Sequence, residues 1–192
     1  MGWLKRSTLE RQSLTGKTVV ILGGGGVAFD CAFTARRLGA EEVHVICLEK
    51  EGEMRAPEED LAQAREEGVI IHNSCTMSAI RVKEGRATGV DYYEVAACRF
   101  DEAGRLSLDP VPGGEHAQEC DTVIFAVGMK TDLEFMGTDK PALTPRNWIV
   151  TDERQASSLA GVFAAGDVSS GPASIAGAVG DGRRAPSAFM PC

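Results

Sequence analysis

Apolar residues fall in short unbroken runs along the first part of the chain. Thr18-Val19-Val20-Ile21-Leu22, Val43-His44-Val45-Ile46-Cys47 and Val69-Ile70-Ile71 are rich in β-branched side chains. Such runs suit strands buried on both faces of a parallel sheet. Between the first two, Val27, Ala28, Cys31, Ala32, Ala35 and Leu38 recur at helical spacing, and Gly39 stops the helix. A charged helix is predicted from about Pro57 to Glu67, with the proline in its first turn and Gly68 after its end. From Ala79 to Phe100 the period changes to alternation, which predicts an antiparallel meander. Gly85 and Gly104 read as its turns, and Pro110, Pro112, Gly113 and Gly114 as a loop. Thr122 to Val127 returns as a buried strand ending at Gly128, and residues 129–147 read as loop. Trp148-Ile149-Val150 and Val162-Phe163-Ala164-Ala165 predict two more short strands, and Pro172 to about Arg184 a final helix with a frayed end at Pro186 and Pro191. Residues 1–14 are polar and basic and read at most as a helical turn. The predicted class is α/β, a strand-helix-strand-helix-strand unit followed by a meander and a closing strand.

Composition narrows the function. The 192 residues are 43% apolar and 25% charged, with net charge −8. Net acidity argues against a nucleic-acid surface, which needs clustered Lys and Arg. No apolar run approaches the ~20 residues of a membrane span, and Met1 to Arg6 lack a signal-peptide core, so a cytoplasmic location is expected. Six scattered cysteines form no C-x-x-C, leaving neither a thioredoxin-like redox pair nor a zinc motif recognisable from spacing. The charge itself is concentrated: residues 41–67 hold ten acidic and three basic side chains. Glycine, with 22 residues, is enriched where the predicted strands end.

Leu22-Gly23-Gly24-Gly25-Gly26-Val27-Ala28 fits G-x-G-x-x-A on Gly23, Gly25 and Ala28, between a buried strand and a helix. Gly23 would permit the tight turn, Gly25 would let the backbone approach a pyrophosphate, and Ala28 would keep helix and strand close. The helix N-terminus offers N–H groups to the phosphates. Four successive glycines are entropically costly unless their special conformations are used. Glu49, twenty-one positions after Ala28, stands where a carboxylate can accept both ribose hydroxyls, favouring NAD(H) over NADP(H). Lys50 and Arg55 are nearby and soften that preference. Two rivals share the first strand-helix-strand unit. A methyltransferase also grips a ribose with an acid after its second strand, but the meander and the C-terminal Gly166-Asp167 argue against it. A short-chain dehydrogenase needs Tyr-x-x-x-Lys, and Tyr92 and Tyr93 have Ala96 and Ala97 at that offset. His44, His72 and His116 read as structural or surface residues, and no side chain stands out as an acid–base catalyst.

Taken together, Gly16 to Gly25, Asp30-Cys31-Ala32, Arg37-Leu38-Gly39-Ala40, Glu53-Met54, Glu67-Gly68-Val69, Asp121 to Gly128, Val162 to Val168, Gly171-Pro172-Ala173 and Gly182-Arg183-Arg184-Ala185 resemble glutamate synthase small-subunit-like flavoproteins. These belong to the pyridine nucleotide-disulfide oxidoreductase superfamily. The resemblance implies an FAD/NAD(P)-binding three-layer ββα fold, in which NAD(P)H docks on one domain and reduces an FAD on a neighbouring one. Residues 15–137 match the nicotinamide domain, and 1–14 and 138–192 match pieces of the FAD domain. Gly166 and Asp167 would meet the ribityl or phosphate part of FAD, and the N–H groups at Ala173 and Ser174 its ring. Val127 and Gly128 would border the nicotinamide.

Three departures from the family pattern sharpen the expectation. No second G-x-G-x-x-G precedes Gly23, nor do iron–sulfur cysteines. Leu48-Glu49 replaces the paired arginines of many members, and Gly128-Met129-Lys130-Thr131 replaces Gly-Gln-Arg-Pro. The chain is therefore expected to be a nicotinamide-binding module, truncated naturally or by design, that binds NADH and retains little FAD alone. The alternative is a non-catalytic nucleotide-binding subunit docking on a separate flavoprotein or electron-transfer chain. The apolar surface left by the absent FAD half would be its interface and could equally pair two copies.

Overall fold

The computed structural model describes residues 13–54, 56–100, 106–129 and 131–185. The readings made for residues 1–12, Arg55, Gly104, Lys130, Pro186, Pro191 and Cys192 lie outside the described residues. The chain forms two compact units, dividing after Gly128.

In the first unit, β1 (Thr18–Leu22), α1 (Gly26–Arg37), β2 (Glu42–Ile46), α2 (Glu58–Glu66) and β3 (Ile70–His72) alternate as the apolar runs predict. With β7 (Thr122–Phe125) they build a four-stranded parallel sheet in the order β3-β2-β1-β7. Between β3 and β7 the chain makes a second, antiparallel sheet of β4 (Cys75–Lys83), β5 (Arg86–Phe100) and β6 (Leu106–Glu119). The parallel strands carry no polar face because both faces are covered. Val19, Ile21, Val43 and Val45 pack with Ala28, Phe29, Ala32 and Ala35 of α1 in one core. Val20, Leu22 and Ile46 pack with Val90, Tyr92, Cys75 and Cys120 in the other. The result is three layers: helices, parallel sheet and meander. Burying each large aliphatic or aromatic side chain contributes roughly 1.5–3 kcal/mol.

Two expectations are corrected in this unit. Pro57 caps α2 from outside, one residue before the first turn. Pro110, Pro112, Gly113 and Gly114 lie within β6, not in a loop. As an edge strand β6 tolerates prolines. Its break in pattern is a bulge, since Tyr93 pairs with Glu115 and Val95 with Pro110, leaving residues 111–114 opposite Glu94.

The second unit, from Met129, has a 3-10 turn at Glu134–Met136, a short α3 (Asp167–Ser170) and α4 (Ile175–Arg184). Here the predicted strands Trp148–Val150 and Val162–Ala165 are only isolated bridges, Leu143 with Ile149 and Ala156 with Phe163. Their apolar side chains form a small core of Leu133, Ile149 and Ala164 instead of an extended ladder.

One polar group interrupts the core between sheet and meander. His44, buried on β2, sits 3.0 Å (Nδ1 to Nε2) from His72, whose Nδ1 is 3.2 Å from the Tyr92 hydroxyl. His44 Nε2 lies 3.3 Å from Glu42 Oε2. With an ionised Glu42 at one end, a single direction satisfies every group: Tyr92 O–H donates to His72, His72 to His44, and His44 to Glu42. In this arrangement the His72 ring is neutral. Burial, followed by the charges His44 and His116 would carry, holds the His72 pKa below its ordinary value. The unfolded chain therefore takes up a proton near the ordinary histidine value that the fold resists. This contribution to stability is fully present above about pH 6.5 and is lost as pH falls below it. The thermal midpoint is expected to drop between about pH 7.5 and 5.5, and His72→Gln to flatten that slope. Equal slopes in the two proteins would remove His72 as the cause.

Candidate functional site

All four parallel strands end on one line. Phe125 pairs with Leu22, Leu22 with Ile46, and Ile46 with His72. The loops Ala126–Gly128, Gly23–Gly26, Cys47–Lys50 and Asn73-Ser74 thus leave the sheet side by side at its carboxyl edge. The strand order reverses between β1 and β7, the place where open α/β sheets form a ligand crevice.

The four glycines have different reasons to be glycine. Gly23 has φ +121°, and a Cβ there would lie 2.4 Å from the Ala126 carbonyl oxygen. It lets the loop after β7 close against the end of β1. Gly24 makes room for Glu49: an added Cβ would be 2.6 Å from Glu49 Oε2 and 3.0 Å from Cys47 Cβ. Over Gly25 and Gly26 there is only open space. Special backbone conformation therefore explains Gly23 alone, a correction to the reading that all four glycines use one. Gly25 is the N-cap of α1 in extended conformation and supplies no side chain to the first turn. No side chain caps the first turn of α1, and Ala28 N–H turns back to the Gly25 carbonyl at 2.9 Å, which leaves the N–H groups before it beside the open space. Ala28 is fully buried in the core between α1 and the parallel sheet. Val27 and Lys50 are exposed.

Glu49 is half-buried, and its main chain is pinned. Its carbonyl accepts from Ser74 N–H at 3.0 Å and Asn73 Nδ2–H at 3.1 Å, with the Cys47 thiol at 3.8 Å. Burial, then the Glu49 charge, pushes that thiol up to about 12, so it stays an S–H donor. The Val127 nitrogen lies beside Gly23, while the Val127 side chain and Gly128, at φ +98°, face solvent.

In the second unit, Gly166 (φ +72°) touches α4, where an added Cβ would lie 3.1 Å from Ala178 Cβ. Its N–H donates to Asp181 Oδ2 at 3.2 Å, and Arg184 pairs with the same carboxylate. Asp167 opens α3 with its side chain exposed. The Ser174 hydroxyl caps its own helix, accepting from Gly177 N–H at 3.1 Å, and Ala173 is exposed beside it. Asp181 escaped the sequence reading, although a lone acid on the inner face of a small-residue helix was its trace. Among the described residues, no group of three or more His, Cys, Asp or Glu could hold a metal ion, and no helix is long and apolar enough to cross a membrane.

Residues 4–182 match the family described as pyridine nucleotide-disulphide oxidoreductase. The chain belongs to that family. It is 37% identical over 185 residues to the NADP(+)-dependent formate dehydrogenase subunit beta of Moorella thermoacetica, covering 95% of this chain and 26% of that one. It is 32% identical over 186 residues to the glutamate synthase [NADPH] small chain of Escherichia coli, covering 93% and 39%. The T. acidophilum thioredoxin reductase structure superposes with a TM-score of 0.75 at 26% identity, over 97% of this chain and 56% of that one. The chain thus spans about a quarter to two-fifths of these curated relatives. Family and fold agree with the flavoprotein resemblance and leave the methyltransferase alternative without support.

Proposed function

We propose that this chain is the nicotinamide-nucleotide module of an FAD-dependent oxidoreductase, passing hydride from NAD(P)H, with NADH preferred, to FAD. The observation that carries the reading is the glycine loop at the sheet's carboxyl edge, open above Gly25 and Gly26 and flanked by the Glu49 carboxylate. The diphosphate would lie on the N–H groups of Gly25 to Val27, Ala28 N–H being already donated to the Gly25 carbonyl at 2.9 Å, and the ribose hydroxyls would donate to Glu49. Val127 and Gly128 would border the nicotinamide. The cofactors supply the redox chemistry, and the protein orients them. Gly166, Asp167, Ala173 and Ser174 would meet FAD, with residues 15–137 forming the nicotinamide domain and 1–14 and 138–192 contributing to the flavin domain. A cytoplasmic location follows from the same reading. Relatives here are named for NADP(H); Glu49 is the reason to expect this chain to differ, because a carboxylate repels a 2′-phosphate.

A titration of NADH against NADPH on the purified chain tests this. Tighter NADH binding is expected. Tighter NADPH binding would sink the role of Glu49. A second reading, a docking subunit for a separate electron-transfer chain, has its own support. Phe125 and Val127 on the edge of the parallel sheet are 57% and 71% exposed, and the relatives are named as a subunit beta and a small chain. A second copy would cover the same edge, so the oligomeric state separates the two occupants.

A further inference from the structure

We infer that Asn73 is a positioning residue for nucleotide selection, acting through Glu49. The inference rests on the proposed ribose contact of Glu49 and extends it to a residue in the turn after β3.

A carboxylate discriminates between a ribose hydroxyl and a 2′-phosphate only if it is held within hydrogen-bond reach, which the loop after β2 would not ensure unaided. Beyond Ile46 that loop has left the parallel ladder. The chain after β3 holds it instead. Cys47 N–H donates to the His72 carbonyl at 3.1 Å and Cys75 N–H to the Cys47 carbonyl at 2.8 Å. At Glu49 itself the hold passes to Ser74 N–H and to the side chain of Asn73. Ser74 adopts φ +51°, which turns its N–H toward Glu49 and leaves Asn73 at the head of the turn. Asn73 Nδ2 also reaches Cys47 Sγ at 3.6 Å, so one amide spans both ends of the Cys47–Glu49 segment. On the far side, the Glu49 carboxylate lies over Gly24. Glu49 is thus held at its carbonyl by Asn73 and Ser74, and its side chain rests against the glycine loop. Of these holds, Asn73 is the one side-chain amide, and it can be removed without touching the backbone.

The test measures NADH and NADPH dissociation constants for the chain, Asn73→Ala, the near-isosteric Asn73→Leu, Glu49→Gln and the double variant Asn73→Ala/Glu49→Gln. Losing the Asn73 hydrogen bond is expected to weaken NADH about three- to tenfold and to leave NADPH unchanged or slightly tighter, because Glu49 offers a 2′-phosphate only repulsion. The preference narrows in both Asn73 variants, and Asn73→Ala narrows it no further when Glu49 is already Gln. A merely structural role would weaken both nucleotides in parallel, and that result overturns the inference. If Glu49→Gln narrows the preference while the Asn73 variants do not, the positioning role alone fails. If Glu49→Gln leaves the preference intact, the ribose reading fails and takes the inference with it.

Discussion

Gly23→Ala is expected to lower the thermal midpoint by roughly 10 °C, equivalent to about 3 kcal/mol. Two independent costs coincide at this position. Its φ of +121° lies where an L side chain is strained, at about 1–3 kcal/mol. The added methyl would also meet a backbone carbonyl, that of Ala126, at 2.4 Å. Backbone cannot swing aside as the end of a side chain can. Relief requires β7 to move away from β1, and the Ala126 N–H bond to the Leu22 carbonyl at 2.8 Å stands in the way. Nucleotide binding should fall as well, but as a consequence of the damaged fold. A thermal scan showing wild-type stability would refute the close approach.

Gly25→Ser should do the reverse. Nothing lies within 4 Å of an added Cβ, and the residue is an N-cap with φ −88°. Serine is a preferred N-cap, so the midpoint should stay level or rise. Its side chain, however, would occupy the space assigned to the diphosphate, and affinity for NADH should drop by at least about tenfold. The two variants, two positions apart in one motif, separate a glycine needed by the protein from one needed by its ligand. Equal affinity in Gly25→Ser, measured by titration, would move the nucleotide away from this loop.

The sequence was most informative where local pattern and tertiary environment demand the same thing. Val19 to Leu22, and Val43 to Ile46 apart from His44, are apolar at successive positions because each alternate side chain meets a different core, so the buried sheet could be read directly. The G-x-G-x-x-A spacing located the loop for a similar reason. The reason for each glycine was not legible, since the atoms crowding Gly23 and Gly24 come from Ala126 and Glu49, distant in the chain. Pro110 to Gly114 misled because turn-forming residues also serve an edge-strand bulge, and sequence does not say which strand is the edge. Asn73 was invisible because its importance lies in a contact across 24 positions. Trp148–Val150 failed differently: only Ile149 enters the small core with Leu133 and Ala164, Val150 is exposed, and the segment has too few neighbours for a ladder.

The chain of hydrogen bonds from Tyr92 through His72 and His44 to Glu42 has a consequence for assembly. Apolar layers can slide across one another at little cost, because valine meets isoleucine nearly as well one step along. A polar chain has no equivalent neighbouring position: shifted by one residue, His44 would be buried against hydrocarbon with its protons unmatched. It acts as an alignment key, rejecting misregistered dockings of the meander on the parallel sheet rather than adding much strength to the correct one. Replacing Tyr92, His72 and His44 with apolar side chains would then yield a protein of similar stability that no longer settles on a single seating of its two sheets.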